Sequence, residues 1–202
     1  MTRRTVKKPE ERREEIISMA KKMFLDLEYE KTSLNDIVNA LGVAKGTVYH
    51  YFKSKEELLD AVVNNMSDEF VQTIKKQMEN TKMSALKKLG KLIKASNITD
   101  NSKETIKKLH RTGNMVLHVR LLALCIKKIA PTYAAVIQQG CKEGVFKTQY
   151  PLETAEFLLA GIQFVTDEGI YSWSQEEISR RSKAISSIME TQLGLKKGSI
   201  NF

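Results

Sequence analysis

Apolar residues recur at helical spacing along almost the whole chain. Between residues 9 and 28, Ile16, Ala20, Phe24 and Leu27 fall at i, i+4, i+8 and i+11, with Arg and Glu between them. That period predicts an amphipathic helix with one buried stripe. Pro9 suits its first position, and Glu10 and Glu11 suit the positive end of its dipole. A second helix is predicted from Ser33, a capping residue with Asp36 at the reciprocal position. Leu34, Ile37, Val38 and Leu41 make its inner face, and Gly42 stands where a left-handed C-cap belongs. A third, short helix over about 44–51 turns Val48 and Phe52 inward. Ser54 and Glu57 then form a capping box that opens a long fourth helix. Helices two and three, joined by a tight glycine turn, have the sequence form of a helix-turn-helix.

The remainder also reads as helical. Residues 55–79 form one run, and residues 83–96 place Leu86, Leu89 and Ile93 on one side. Residues 98–104 read as a loop and 105–130 as one strongly apolar helix. Pro131 is expected to open a further segment ending near Phe146, and Pro151 a helix of about twenty residues. Ser174 caps the last helix, and the tail from Leu195 is expected to be loose. No strand pattern competes, so the fold class is all-α.

Composition narrows the functional classes. The chain has 202 residues, 42% hydrophobic and 28% charged, as in ordinary globular domains. Its net charge of +9 favours an anionic partner without choosing between nucleic acid, an acidic membrane surface and an acidic ligand. Cys125 and Cys141 match no metal spacing and are too few for a disulfide framework, which fits a reduced, cytoplasmic setting. Residues 3–15 lack the apolar core of a signal peptide, and the longest apolar stretches are too short for a bilayer. A soluble protein with no membrane partner is expected. No HExxH, glycine-rich phosphate loop or Cys-x-x-Cys occurs, so neither enzymatic activity nor a metal or cofactor is expected.

The short third helix carries the most pointed chemistry. With Val48 and Phe52 turned inward, its outer side presents Lys45, Thr47, Tyr49, His50 and Tyr51. Gly46 lets the backbone approach a phosphate, and exposed N–H groups at a helix start suit an anion. Lys45 can reach a base edge or a phosphate; the hydroxyls of Thr47, Tyr49 and Tyr51 can bond phosphate oxygens. Lys55, opening the next helix, is placed to meet the backbone. The alternative is that Tyr49 and Tyr51 pack on neighbouring helices and the lysines are simply solvated.

The run "TSLNDIVNALGVAKGTVYHYFKSKEELL" closely resembles the DNA-binding region of TetR-family transcriptional regulators. The marks are the Leu-Gly-Val turn, then "KGTVYHYF", then "KSKEEL". They cover about a quarter of the chain. The resemblance implies a helix-turn-helix domain over 1–54 and a larger helical effector-binding and dimerisation domain over 55–202. It implies a homodimeric repressor on a palindromic double-stranded operator, released by a small-molecule effector. It places DNA contacts at Lys45, Gly46, Thr47, Tyr49, His50, Tyr51 and Lys55, and adds Thr32, Ser33 and Asn35. Ala44 departs from the pattern, since a capping Ser is common there; the loss is about 1 kcal/mol of local stability.

The body offers weaker signals. Met115, His118, Leu122 and Cys125 form an apolar stripe that fits either a cavity lining or plain core. Met83, Tyr133, Phe164 and Trp173 are candidates of the same kind. The last two helices carry long apolar faces, including Leu158 and Ile162, then Ile178, Ile185, Ile188 and Met189. Paired with their copies they would make a four-helix dimer interface; alone they would complete the monomer core. The competing functions are a helical DNA-binding adaptor with no effector and a helical small-molecule binding protein.

Overall fold

The computed structural model describes residues 7–77, 82–95 and 100–200, and among these every regular element is helical. Helices α1 (Pro9–Leu27), α2 (Leu34–Leu41), α3 (Lys45–Tyr51) and α4 (Lys55–Gln77) come first. Then follow α5 (Ala85–Ala95), α6 (Asp100–Leu109), α7 (Met115–Lys142), α8 (Pro151–Val165) and α9 (Gln175–Gln192). The chain divides into two compact units, residues 1–66 with 105–121, and residues 67–104 with 122–202.

In the first unit the core is built from the predicted stripes. Ile16, Ala20 and Phe24 of α1 are buried, with Ile37 and Val38 of α2, Val48 of α3, and Phe52. Leu27 is the exception: it is 54% exposed, and Ile17 and Leu25 are buried instead. The buried face of α1 therefore turns toward the i+1 side of the expected stripe. Ser33 accepts from the Asp36 amide while Asp36 takes the Ser33 amide, so the capping box closes α2 as expected. Gly42 ends α2 at φ 62°, a left-handed conformation that costs glycine nothing. At α4 the box is shifted. Ser54 Oγ accepts from the Glu57 amide at 3.1 Å, but the Glu57 carboxylate takes the Lys53 amide, one residue earlier than the motif requires.

The second unit has a continuous core in which Leu89 and Leu92 of α5, Ile129, Tyr133 and Ile137 of α7, Leu158 of α8 and Met189 of α9 are buried together. Three expectations fail in these later regions. Residues 100–104 are helical, within α6, not loop. The helix expected over 105–130 breaks at residues 110–114, where Thr112–Asn114 form a 3-10 turn. Pro131 opens nothing, for α7 runs through it. An interior proline costs about 3 kcal/mol by removing one helical donor. Here Pro131 lies exposed while Ile129, Ala130, Tyr133, Val136 and Ile137 are buried around it. Those side chains each contribute about 1.5–3 kcal/mol on burial and outweigh the missing bond.

The tail also differs from expectation. Leu193 and Ile200 are buried, and the Glu190 carboxylate accepts from the Ile200 amide at 2.8 Å. That bond, with those from the Gly198 and Ser199 amides, holds the Glu190 carboxyl below its ordinary pKa. Among the described residues one helix, α7 with its preceding turn, is long and apolar enough by length and composition to cross a membrane, contrary to expectation. Its apolar residues fall at helical spacing with charged ones between; Leu117, Ile129 and Ile137 are buried, and Val116 and Val119 are exposed.

Candidate nucleic-acid interface

Helix α3 is fixed from below and open from above. Val48 is fully buried and Phe52, its C-cap, is 1% exposed, so these two residues set the rotation of the helix. Arg13 stacks its guanidinium over the Phe52 ring at 5.3 Å, adding a cation–π contact from α1. Lys53 Nζ donates to the Tyr49 carbonyl at 2.8 Å and lies 3.4 Å from the His50 carbonyl, capping the helix C-terminus. Ala44 provides no side-chain cap at the other end, as its lack of an oxygen dictates.

The opposite side is polar. Lys45, Gly46 and His50 are exposed; Thr47, Tyr49 and Tyr51 are half-buried. Lys45 Nζ lies 5.2 Å from the Tyr49 ring centre, and His50 meets Tyr51 edge to face at 5.1 Å. Both tyrosines therefore combine packing with an accessible edge, between the two roles the sequence left open. A Cβ placed on Gly46 would meet nothing within 4 Å. Its φ is not positive either, so nothing inside the chain demands glycine at that position.

The neighbouring contacts sort less uniformly. Ser33 and Asn35 are exposed at the start of α2, with Ser33 Oγ engaged by the Asp36 carboxylate at 2.6 Å. Thr32 is buried at 2% exposure, and its hydroxyl donates to the Glu28 carbonyl at 2.8 Å. Its side chain holds the α1–α2 loop and faces away from solvent. Lys55 lies with Nζ 4.1 Å from the Tyr29 ring centre and donates to the Glu30 carbonyl at 3.3 Å. Partial burial lowers its pKa, and Glu56, Glu30 and Asp36 oppose that shift. An ammonium has three protons, so two remain for an outside acceptor.

Residues 16–62 match the family described as bacterial regulatory proteins, tetR family, and residues 97–188 match the tetracyclin repressor-like C-terminal domain. The chain belongs to the TetR family. The HTH-type transcriptional repressor KstR2 of Mycolicibacterium smegmatis is 35% identical over 92 residues, 46% of this chain and 44% of KstR2. The chain thus matches under half the length of that relative. A TetR-family transcriptional regulator from Pectobacterium atrosepticum superposes with a TM-score of 0.65 at 20% identity, covering 96% of this chain and 98% of its own. The SmeT–triclosan complex gives 0.60 at 17% identity, with 95% of each chain covered. At these identities the likeness is one of fold, and the fold is the TetR arrangement of an N-terminal helix-turn-helix and a helical C-terminal domain.

In this TetR-family chain the residues expected around an effector are divided between the two compact units. Within the first unit, His118 is 3% exposed with its ring 4.9 Å from that of His110, whereas Met115 is exposed at 36%. Within the second, Cys125 and Tyr133 are buried, and the Tyr133 hydroxyl donates to the Leu92 carbonyl at 3.0 Å. Burial pushes the Cys125 thiol pKa up to about 11, so little of it is thiolate at neutral pH. Met83 and Leu122 are half-buried, and Phe164 is 47% exposed. Trp173 donates from Nε1 to the Val165 carbonyl at 2.9 Å, stacks on Tyr171 and lies under Arg181. An open cleft of about 370 Å³ lies elsewhere in that unit, lined by Lys88, Pro131, Thr132, Ala135, Val136 and Gln139. None of these was a candidate; Lys88 and Gln139 bond each other across it at 2.7 Å.

The residues expected at a dimer interface divide. Leu158 and Met189 are buried in the chain's own core. Ile162, Ile178 and Ile185 are half-buried, and Ile188 is 50% exposed. Phe157, not among the expected residues, is 68% exposed on α8. The period points to it: Phe157 lies one position before Leu158, on the face the core does not use.

Proposed function

We propose that this chain is a DNA-binding transcriptional regulator that sets α3 in the major groove of a palindromic operator as a homodimer. The observation that carries this reading is Gly46. Glycine inside a helix costs roughly 0.5–1 kcal/mol relative to alanine. No internal contact and no positive φ explains its presence, whereas an approaching sugar–phosphate backbone does. Around it, Lys45 and His50 are exposed and Lys55 keeps two protons to offer, the composition of a phosphate and base-edge contact surface. Lys45, Thr47, Tyr49, His50 and Tyr51 are the groove-facing set in this reading. Ser33, Asn35 and Lys55 flank it on the backbone.

Repression is favoured by the likeness to KstR2, itself described as a repressor. Dimerisation is supported by the exposed apolar residues Phe157, Phe164 and Ile188, which a second copy would cover. Release by a small molecule is supported by the shared fold with SmeT, solved as a complex with triclosan. In this reading residues 1–54 act as the reading head and 55–202 as the effector and dimer domain. The buried positions of Tyr133 and Cys125 favour a second reading, a DNA-binding adaptor whose body is plain core. A library of amphipathic small molecules separates the two. A compound that both raises the melting temperature and releases bound duplex supports the effector reading; stabilisation without release favours the adaptor.

A further inference from the structure

We propose that Asn114, at the corner between α6 and α7, is a positioning residue for DNA binding that sets the place of Lys55. The proposal rests on the reading of α3 and Lys55 as the DNA-contacting surface. Asn114 lies far along the chain from the helix-turn-helix, yet it is fully buried within the same compact unit. Its Oδ1 accepts from the Tyr29 amide at 2.7 Å, and its Nδ2 donates to the Lys108 carbonyl at 2.9 Å. The adjacent Gly113 carbonyl accepts from the Glu30 amide at 3.0 Å. Tyr29 and Glu30 are the two residues on which Lys55 rests, one by its ring and the other by its carbonyl. The corner thus grips the backbone of both residues that hold the lysine.

The loop gripped in this way does not hold its shape by itself. Glu28, just before Tyr29, has φ 73° and ψ 142°, a combination that residues with a Cβ rarely adopt. Such a conformation persists where its surroundings over-determine it. They do so here from the same corner. Arg111 donates to the Asp26 carbonyl at 3.0 Å, and Lys108 pairs with the Asp26 carboxylate at 2.8 Å. A Cβ on Gly113 would strike the Glu28 carboxylate and crowd its Cβ, so the corner packs directly against Glu28. A surface loop needing only a helix stop would require none of these contacts. Their common effect is to fix Tyr29 and Glu30, and through them the lysine.

The test is a double-mutant cycle in the full chain, reading duplex affinity against salt concentration. Asn114→Ala leaves the Tyr29 amide unsatisfied and is expected to lower affinity by up to about fivefold, no more than removal of Lys55 itself. The slope of log affinity on log salt should fall by about one phosphate contact per subunit. In a Lys55→Ala background the same change should add less than about twofold, because the residue it positions is gone. A purely structural role would lower the melting temperature yet leave the slope intact and multiply with Lys55→Ala. Multiplying losses, or an unchanged slope, overturn the proposal while Lys55 stands as a contact. If Lys55→Ala alone leaves affinity unchanged, the phosphate-contact reading fails and the proposal falls with it. Arg111→Gln, at an exposed position, carries the same test should Asn114→Ala not fold; a smaller shift in the same direction supports the proposal, and none overturns it.

Discussion

Two exposed surfaces of this molecule differ in kind. On α3 the exposed residues are Lys45, Gly46 and His50, small or basic, around a single buried anchor, Val48. On α8 and α9 the exposed residues include Phe157, Phe164 and Ile188, large and apolar, beside the buried Leu158 and Met189. A surface of the first kind gains little from apolar burial and much from a fixed array of negative charge. The second gains little from charge and much from leaving water. The contrast is what the proposed reading requires: a phosphate backbone on the first and a second copy of the chain on the second.

The largest expected effect is on the apolar surface. Phe157→Asp combined with Ile188→Asp should convert dimer to monomer in sedimentation and reduce duplex affinity by at least about a hundredfold, since one reading head loses its partner's effective concentration. A dimer that survives the pair of charges moves the interface elsewhere. Next is the anchor. Val48→Ala should cost about 2 kcal/mol in urea unfolding, from lost burial and the space left behind. An unchanged midpoint would mean that α3 is held by other contacts. Third, Lys55→Ala should weaken binding roughly fivefold on all duplexes alike, whereas Lys45→Ala should change the preference among them. Uniform loss with Lys45→Ala would make it a phosphate contact only.

Gly46→Ala is a smaller change that separates folding from function. It should raise stability by about 0.5–1 kcal/mol while weakening DNA binding, because the new methyl meets nothing in the free protein. Stabilisation with full binding would remove the external reason for glycine. The smallest expected effect concerns Cys125. Its thiol pKa is raised by burial to about 11, so the nucleophilic thiolate is scarce at neutral pH and grows only as pH rises toward that value. Thiol-reactive dye at pH 7.5 should label the half-buried Cys141 first. Rapid labelling of Cys125 would show that its surroundings open.

The first unit was largely legible because its signals are local and mutually consistent. Ser33 with Asp36, Gly42, Val48 and Phe52 each act within a few residues of themselves, and each stands where expected. What could not be read there depends on distant chain. Thr32 looks like any hydroxyl before a helix, and only the Glu28 carbonyl above it turns it inward. Asn114 and Gly113 contact a loop some eighty-five residues earlier in the chain, a pairing no local pattern reveals. The break they make was nonetheless signalled by the Thr-Gly-Asn cluster at 112–114, which the apolar run following it obscured. Pro131 misled for the opposite reason. A strong local signal was overridden by the apolar stripe of α7 on either side of it. Tyr133 and Cys125 could not be assigned to core or cavity in advance, because a buried stripe has the same period in both cases.

The most direct measurement is the affinity of the full chain for duplexes selected from a random pool, taken across a range of salt concentrations. Selection should return a two-fold symmetric site, with half-sites about one helical turn apart and affinity falling steeply with salt. Weak binding to every duplex, insensitive to salt, would contradict the assignment of α3 to DNA.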